Sequence, residues 1–130
     1  MGAVHDALQI VATGEEGTRR ALREARRLAD ASNTRLVLLV PHVRPAFSSA
    51  AEDDTLAIDE RYRALTAAAG VDAIVRVCFC RRVDDVFHWM LGRRARVVVG
   101  GRLRRWWPTP AQRIAQRLQR LGHDVVFAAL

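Results

Sequence analysis

Cysteine is scarce in this sequence, which contains Cys78 and Cys80 alone, and long apolar runs are absent. A zinc site normally takes three or four ligands, and the four histidines show neither i, i+4 nor Cys-x-x-Cys spacing. No segment approaches the roughly 18 apolar residues of a membrane span, and the start, MGAVHDALQI, lacks the layout of a signal peptide. If Cys78 and Cys80 lie on one strand, we expect their side chains on opposite faces, which disfavours a disulfide between them. We therefore expect free cysteines, no metal site, no membrane partner and a cytoplasmic protein.

Lysine is absent, so all 21 basic side chains are arginine. Arginine makes bidentate phosphate contacts, but the use of arginine in place of lysine along the whole chain is explained better by codon bias than by a function. The net charge of +7 is unevenly distributed: residues 1–85 contain 12 arginines and 13 acids, whereas residues 86–130 contain nine arginines and one acid, Asp124. A basic second part can indicate an anionic partner, such as a nucleotide, a nucleic acid or an acidic protein surface.

Five short apolar segments are typical of buried strands. Gly14 follows the first segment, and Pro41 follows the second. Because proline cannot donate a hydrogen bond to a neighbouring strand, we expect the second strand to end at Val40. The predicted strands cover residues 7–13, 35–40, 72–79, 95–101 and 124–130.

Between these segments, apolar residues recur at steps of three and four, which indicates four amphipathic helices. The first follows Gly14 and is predicted to stop near Asn33. The second follows an irregular, proline-containing loop at residues 41–54 and ends at Gly70. The third is short and ends at Gly92.

The fourth helix has a recognisable start. Thr109 is the predicted N-cap, Pro110 stands at the first helical position, and Gln112 follows the cap by three residues, which is the capping-box pattern. Gly122 ends the helix, and its predicted buried stripe consists of Ala111, Ile114, Ala115, Leu118 and Leu121.

The alternation of strands and helices predicts an α/β fold. We expect one domain over residues 1–130, with a five-stranded parallel sheet covered by helices on both faces in three layers. In such sheets a ligand binds beyond the carboxyl ends of the strands, where the strand order reverses. We expect that crevice between the first and fourth strands, which end at Thr13-Gly14 and Gly100-Gly101.

Over nearly its whole length, the chain resembles a universal stress protein. The resemblance is carried by a first strand leading into TGEEGTRRALREARRLA, a second ending in LLVPHV, and a fourth ending in glycine before a helix and a final strand. It implies the five-stranded fold described above, a stress-response or regulatory role, and a homodimer in which the last strands of two copies meet.

The sequence departs from the family's ATP-binding pattern. The family's first strand usually ends in Asp-Gly, where this chain has Thr13-Gly14. Nucleotide-binding members continue from the fourth strand with Gly, two residues, Gly, nine residues, then Gly and Ser or Thr. Here the second glycine is replaced by Leu103 or Arg104, and the last pair corresponds to Gln112-Arg113. We therefore make no firm prediction of a cofactor and do not expect conventional ATP binding.

A small anion or nucleotide remains a candidate ligand of the strand-end crevice. The start of the fourth helix offers amides and a positive dipole end beside several arginines. The alternative is a self-capped helix behind a solvated arginine loop. The candidate binding residues are Thr13, Gly14, Val40, Gly100, Gly101, Arg102, Thr109, Gln112 and Arg113.

Trp106 and Trp107 lie among arginines, as a base-stacking surface requires. Packing on a sheet edge or contact with a second subunit is the interpretation we favour. The final strand is expected at a sheet edge, where an apolar strand without lysine or proline needs a cover. The candidate dimer interface consists of Asp124, Val125, Val126, Phe127 and Ala128, with the two tryptophans at its rim.

No set of residues predicts catalysis. His88 follows Asp84 by four residues, but no nucleophile accompanies the pair. Ser48 and Ser49 lack the Gly-x-Ser-x-Gly elbow of a hydrolase. We therefore expect a non-enzymatic regulatory or stress-response module. The alternatives are an arginine-rich nucleic-acid-associated protein and a nucleotide-using enzyme. Nucleic acid is disfavoured because no recognised reading motif is present.

Overall fold

Strands and helices alternate along the chain in a computed structural model, which describes residues 7–30, 34–44, 52–92 and 94–130. The predicted stop at Asn33 lies outside these residues. The elements are, in chain order, β1 (Leu8–Val11), α1 (Glu15–Ala29), β2 (Leu36–Val43), α2 (Glu52–Ala68), β3 (Ile74–Cys80), α3 (Val83–Met90), β4 (Arg96–Gly101), α4 (Pro110–Arg120) and β5 (Asp124–Ala129).

The strands form one five-stranded sheet in the order β3-β2-β1-β4-β5. All four neighbouring pairs are parallel. The chain moves outward from β1 through β2 to β3 and then returns to the other side of β1 with β4. The order therefore reverses between β1 and β4, and the predicted three-layer α/β class is confirmed.

The sheet has an apolar core on each face. Helices α1 and α2 cover one face, and α3 and α4 cover the other. Because successive strand residues point to opposite faces, each central strand contributes to both cores. Main members of the core under α1 and α2 are Leu8, Ile10, Leu22, Leu38 and Val98. Those of the core under α3 and α4 are Val11, Leu39, Phe87, Val99 and Leu118.

Strand β2 continues past Pro41 to Val43, so the prediction that it ends at Val40 is wrong. The carbonyl of Arg35 accepts a hydrogen bond from Leu8 of β1, and that of Leu39 accepts one from Ala12, the residue after β1. Every second residue of β2 directs its backbone groups to the same neighbour, so those of Pro41 also point toward β1. Strand β1 has already ended at Val11. The missing N–H of Pro41 therefore falls where no strand partner is needed, while β3 continues to pair with β2 on its other side.

The predicted helix stops agree with the structure at three glycines. Gly70, Gly92 and Gly122 each have a positive φ, the left-handed conformation that commonly ends a helix. One member of the predicted α4 stripe is placed wrongly. Leu121 is the residue after the last helical turn and is about half exposed, because the helix ends at Arg120 before completing that stripe.

Cys78 and Cys80 are free thiols in β3. They are two residues apart in this strand, so their side chains share a face, and the expectation of opposite faces is wrong. Burial raises the pKa of both thiols. Within the described ranges no group of three or more His, Cys, Asp or Glu side chains is arranged to hold a metal ion. None of the described helices is long and apolar enough to cross a membrane.

Candidate functional site: a crevice at the strand-order reversal

A crevice of about 540 Å³ opens beyond the ends of β1 and β4. This volume lies within the range of roughly 300–1,000 Å³ that is usual for small-molecule sites. Five of the predicted binding residues line it, whereas Val40, Gly100, Gln112 and Arg113 do not. The lining residues are Thr13, Gly14, Glu15, Glu16, Gly17, Gly101, Arg102, Thr109, Pro110, Ala111, Ile114 and Leu130.

Glycines bring the two helices of the crevice close to β4. A Cβ on Gly100 would lie 2.0 Å from the carbonyl oxygen of Gly17, and one on Gly101 would lie 2.4 Å from the Cβ of Ala111. Gly100 thus allows α1 to approach, and Gly101 allows α4 to approach. Sequence reasoning missed Gly17, although a glycine in the first turn after a strand is a known signal of close helix–strand packing.

Thr13 joins the start of α1 to the end of β4. Its Oγ1 donates a hydrogen bond to the Gly100 carbonyl at 2.8 Å, and its backbone N–H donates to Oγ1 of Thr18 at 2.9 Å. Thr18 is fully buried. Since the Thr13 hydroxyl already donates its proton, it holds the wall of the crevice in place and keeps only acceptor capacity for a ligand.

The start of α1 combines free donors with negative charge. Gly14 is the N-cap and makes no side-chain capping bond, so first-turn amides are not capped by it. Glu15 and Glu16 occupy that first turn and are exposed. Glu15 also makes an exposed ion pair with Arg19 at 3.3 Å. The two carboxylates disfavour a polyphosphate here and favour ligand groups that donate hydrogen bonds, such as hydroxyls.

The start of α4 is self-capped. Oγ1 of Thr109 accepts from the N–H of Gln112 at 3.2 Å, and Oε1 of Gln112 accepts from the N–H of Thr109 at 2.9 Å. Both halves of the predicted capping box are present. Pro110 has no N–H, and the Gln112 amide is occupied. Few donors are therefore left at this helix end for an anion, which is the arrangement expected of a self-capped helix.

The loop between β4 and α4 is hydrogen-bonded to the same two capping residues. Oε1 of Gln112 also accepts from the N–H of Arg104 at 2.9 Å, and its Nε2 donates to the Arg104 carbonyl at 3.3 Å. Oγ1 of Thr109 donates to the Arg102 carbonyl at 2.8 Å. Bulky residues and side-chain hydrogen bonds thus occupy the place where the ATP-binding pattern has glycines, and Arg102 is the one cation among the crevice-lining residues.

The predicted interface residues lie at the edge of the sheet. Among the described residues, β5 pairs with β4 alone, and no strand lies on its outer side. Val126 is exposed on the α1 face, and Ala128 on that face is buried. Trp106 and Trp107 are exposed and do not cover the edge within this chain. The expectation of packing within the chain is therefore wrong for the tryptophans, and subunit contact stays a prediction.

Comparison with protein-family models and with curated proteins finds no match. Solved structures do match. A universal stress protein in complex with cAMP has a TM-score of 0.62 and 21% identity, over 94% of this chain and 95% of that chain. A protein of the universal stress protein family from Burkholderia pseudomallei has a TM-score of 0.61 and 15% identity, over 100% of both chains.

A third structure, the universal stress protein from Archaeoglobus fulgidus, has a TM-score of 0.61 and 11% identity, over 93% of this chain and 91% of that chain. These three proteins share less than a quarter of their residues with this chain, yet each alignment spans nearly the whole length of both partners. The resemblance found in the sequence is thus confirmed at the level of structure, and the chain has the fold of the universal stress proteins.

Proposed function

We propose that this protein is a member of the universal stress protein family that acts as a non-enzymatic, single-domain regulatory or stress-response module in the cytoplasm. Its crevice binds a small nucleotide with one phosphate rather than Mg-ATP. The observation that carries the proposal is the crevice at the β1–β4 reversal, whose α4 side lacks a phosphate-binding loop because Thr109 and Gln112 occupy the helix start.

The charges of the crevice support a ligand with one phosphate. Arg102 supplies a single guanidinium, which suits one phosphate group. Glu15 and Glu16 accept hydrogen bonds from ribose hydroxyls but repel a triphosphate chain. The cAMP complex of a structural neighbour supports the same ligand class, since cAMP carries one phosphate.

The side chains near the crevice also support a non-enzymatic role. The Thr13 hydroxyl donates its proton to the Gly100 carbonyl, and no histidine or cysteine is among the crevice-lining residues. Elsewhere, Asp84 forms its ion pair with Arg117 of α4, so it is engaged away from His88. The described residues thus offer no activated nucleophile at this site.

Calorimetry and thermal unfolding of the purified protein with cAMP, AMP, adenosine and Mg-ATP test the proposal. A nucleotide with one phosphate at ten times its Kd stabilises the fold by about 1.4 kcal/mol, which raises the unfolding midpoint by about 5 °C. Mg-ATP is expected to bind with a Kd weaker than about 10 μM. A tighter Mg-ATP complex, or no response to any nucleotide, contradicts the proposal.

A matched pair of variants tests whether the phosphate binds at Arg102. Arg102→Gln removes the cation of the crevice and should weaken binding of AMP and cAMP about tenfold, the effect of losing one charge-assisted contact. Adenosine, which has no phosphate, should be unaffected. Arg120→Gln removes an exposed arginine outside the crevice and serves as the control. Equal losses in both variants would show that the phosphate responds only to net charge.

We further propose that the protein is a homodimer joined through β5. In the part of the chain that the structure describes, no strand pairs with its outer side, and the strand contains neither lysine nor proline, the residues that usually protect an edge. Pairing of two edges around a two-fold axis would remove both exposed edges at once.

A further inference from the structure

The loop that follows β4 exposes large apolar side chains. Trp106 is 84% exposed, Trp107 is 77% exposed and Leu103 is 61% exposed. Tryptophan gains more than most side chains from burial, so two neighbouring tryptophans in water indicate a surface that meets a partner. The crevice does not account for these tryptophans, because neither is among its lining residues.

The backbone of this loop is held in place while its side chains project. Gln112 bonds both the N–H and the carbonyl of Arg104, and Thr109 bonds the carbonyl of Arg102. A loop that is ordered before binding loses little conformational entropy when a partner arrives. The side chains of Arg104, Arg105, Trp106 and Trp107 are therefore presented from a prearranged support.

The surroundings of the loop carry positive charge. No acidic residue occurs between Asp85 and Asp124. Among the described arginines of that stretch, Arg117 makes an ion pair, with Asp84 of α3. Arg113 and Arg117 line a groove of about 210 Å³ between α3 and α4. Asp84 also lines this groove and pairs with Arg117, so Arg113, one residue after Gln112, is the arginine that extends the positive charge of the loop onto α4.

We propose that Arg104, Arg105, Trp106, Trp107 and Arg113, which we call the Arg/Trp track, bind single-stranded nucleic acid independently of the crevice. The indole rings stack on unpaired bases, and the guanidinium groups contact the phosphates. A double helix offers no free base faces to the indoles. A lipid surface would meet the projecting loop but would not enter the groove that Arg113 lines, so the combination of loop and groove fits a flexible strand better.

Fluorescence anisotropy of a labelled ten-nucleotide oligo(dT) or oligo(U) with the purified full chain tests this proposal. If three arginines of the track contact phosphates, the slope of log affinity against log salt is about −2, so the Kd rises about 20-fold between 50 and 200 mM salt. Trp106→Ala and Trp107→Ala should each weaken binding about fivefold or more, the effect of losing one stacked base.

Trp89→Ala is the matched control. Trp89 is 81% exposed, close to the 84% of Trp106, but it lies on α3 beside Cys78 and Cys80 and does not line the groove that contains Arg113. All three substitutions remove exposed side chains, so their thermal midpoints should match that of the wild type. With the fold intact, a loss confined to the Trp106 and Trp107 variants supports the track.

Other outcomes overturn the proposal. An equal loss in Trp89→Ala would show nonspecific binding to exposed aromatics. No oligonucleotide binding at 50 mM salt would also reject it. If vesicles of phosphatidylserine and phosphatidylcholine shift the tryptophan emission while the oligonucleotides do not bind, the partner is an anionic membrane. An emission shift that depends on protein concentration alone would assign the tryptophans to a subunit contact.

Discussion

His123 is a buried side chain that the fold holds in its neutral form. Its Nδ1 accepts a hydrogen bond from the N–H of Ala95 at 3.0 Å, so the proton of the neutral ring resides on Nε2. Burial lowers the pKa of His123. The contact connects the residue before β5 to the residue before β4, and protonation of Nδ1 would remove it.

The expected consequence is a loss of stability in mild acid. Because the pKa of His123 is lower in the folded chain than in the unfolded one, the unfolded state binds the proton first. The contribution is complete above the unfolded pKa, about 6.5, and declines as the pH falls from there toward the folded pKa. The free energy of unfolding should fall by at most about 1.4 kcal/mol per pH unit in this window.

Urea unfolding at pH 8, 6.5 and 5.5 measures this effect. His123→Asn keeps an acceptor for the Ala95 N–H but does not titrate, so its stability should vary less with pH. His88→Asn changes an exposed histidine and should retain the wild-type dependence. If His123→Asn follows the wild type over the whole range, another group causes the acid sensitivity.

At the scale of elements, the crossing of α1 over β4 depends on the absence of two side chains. A Cβ on Gly17 would lie 2.5 Å from the Gly100 carbonyl oxygen, and a Cβ on Gly100 would lie 2.0 Å from the Gly17 carbonyl oxygen. Both near contacts involve backbone, which cannot swing aside as a flexible side chain does. The crossing also fixes the crevice, since Thr13 bonds the same Gly100 carbonyl.

Gly100→Ala is therefore expected to destabilise the fold by about 1–3 kcal/mol, the usual cost of forcing extra volume into a packed site. It should also weaken nucleotide binding, because α1 and its crevice residues must shift. Gly14→Ala is the control for stability alone: Gly14 has a φ of −67°, and its added Cβ would meet nothing within 4 Å. Urea unfolding that shows equal stability for Gly100→Ala and the wild type would contradict this account.

At the scale of the whole molecule, the edge strand β5 predicts assembly. The chain has a mass of 14.5 kDa, and light scattering at micromolar concentration should give about twice that mass. Val126→Arg places a charge on an exposed position of β5 and should yield a folded monomer. Val43→Arg changes another exposed valine, at the end of β2 and away from this edge, and should leave the dimer intact.

A wild-type mass near 14.5 kDa would reject the dimer. An undisturbed dimer in folded Val126→Arg would show that the interface lies on another surface. Loss of the dimer in both valine variants would indicate a general effect of added charge. These results are independent of the nucleotide and oligonucleotide titrations, so assembly and binding can fail separately.

The sequence by itself determined what depends on neighbouring residues. Thr109, Pro110 and Gln112 lie within one helical turn, so the capping box could be recognised from their spacing and is present in the structure. Alternating apolar segments and helical stripes predicted the order of elements, because burial imposes a period on each. The departure from the ATP-binding pattern at Leu103 and Arg104 could also be recognised from the sequence, since it concerns which residues occupy one loop.

Only the tertiary structure decided which distant residues meet. It brought Gly17 to Gly100, placed Arg102 in the crevice and Arg113 in a separate groove, and left Trp106 in solvent. The spacing of residues along a chain describes the periodic face of each element, but it does not give the distance at which two elements cross or the direction of a loop side chain. Those depend on packing between residues that are far apart in sequence, which no local pattern records.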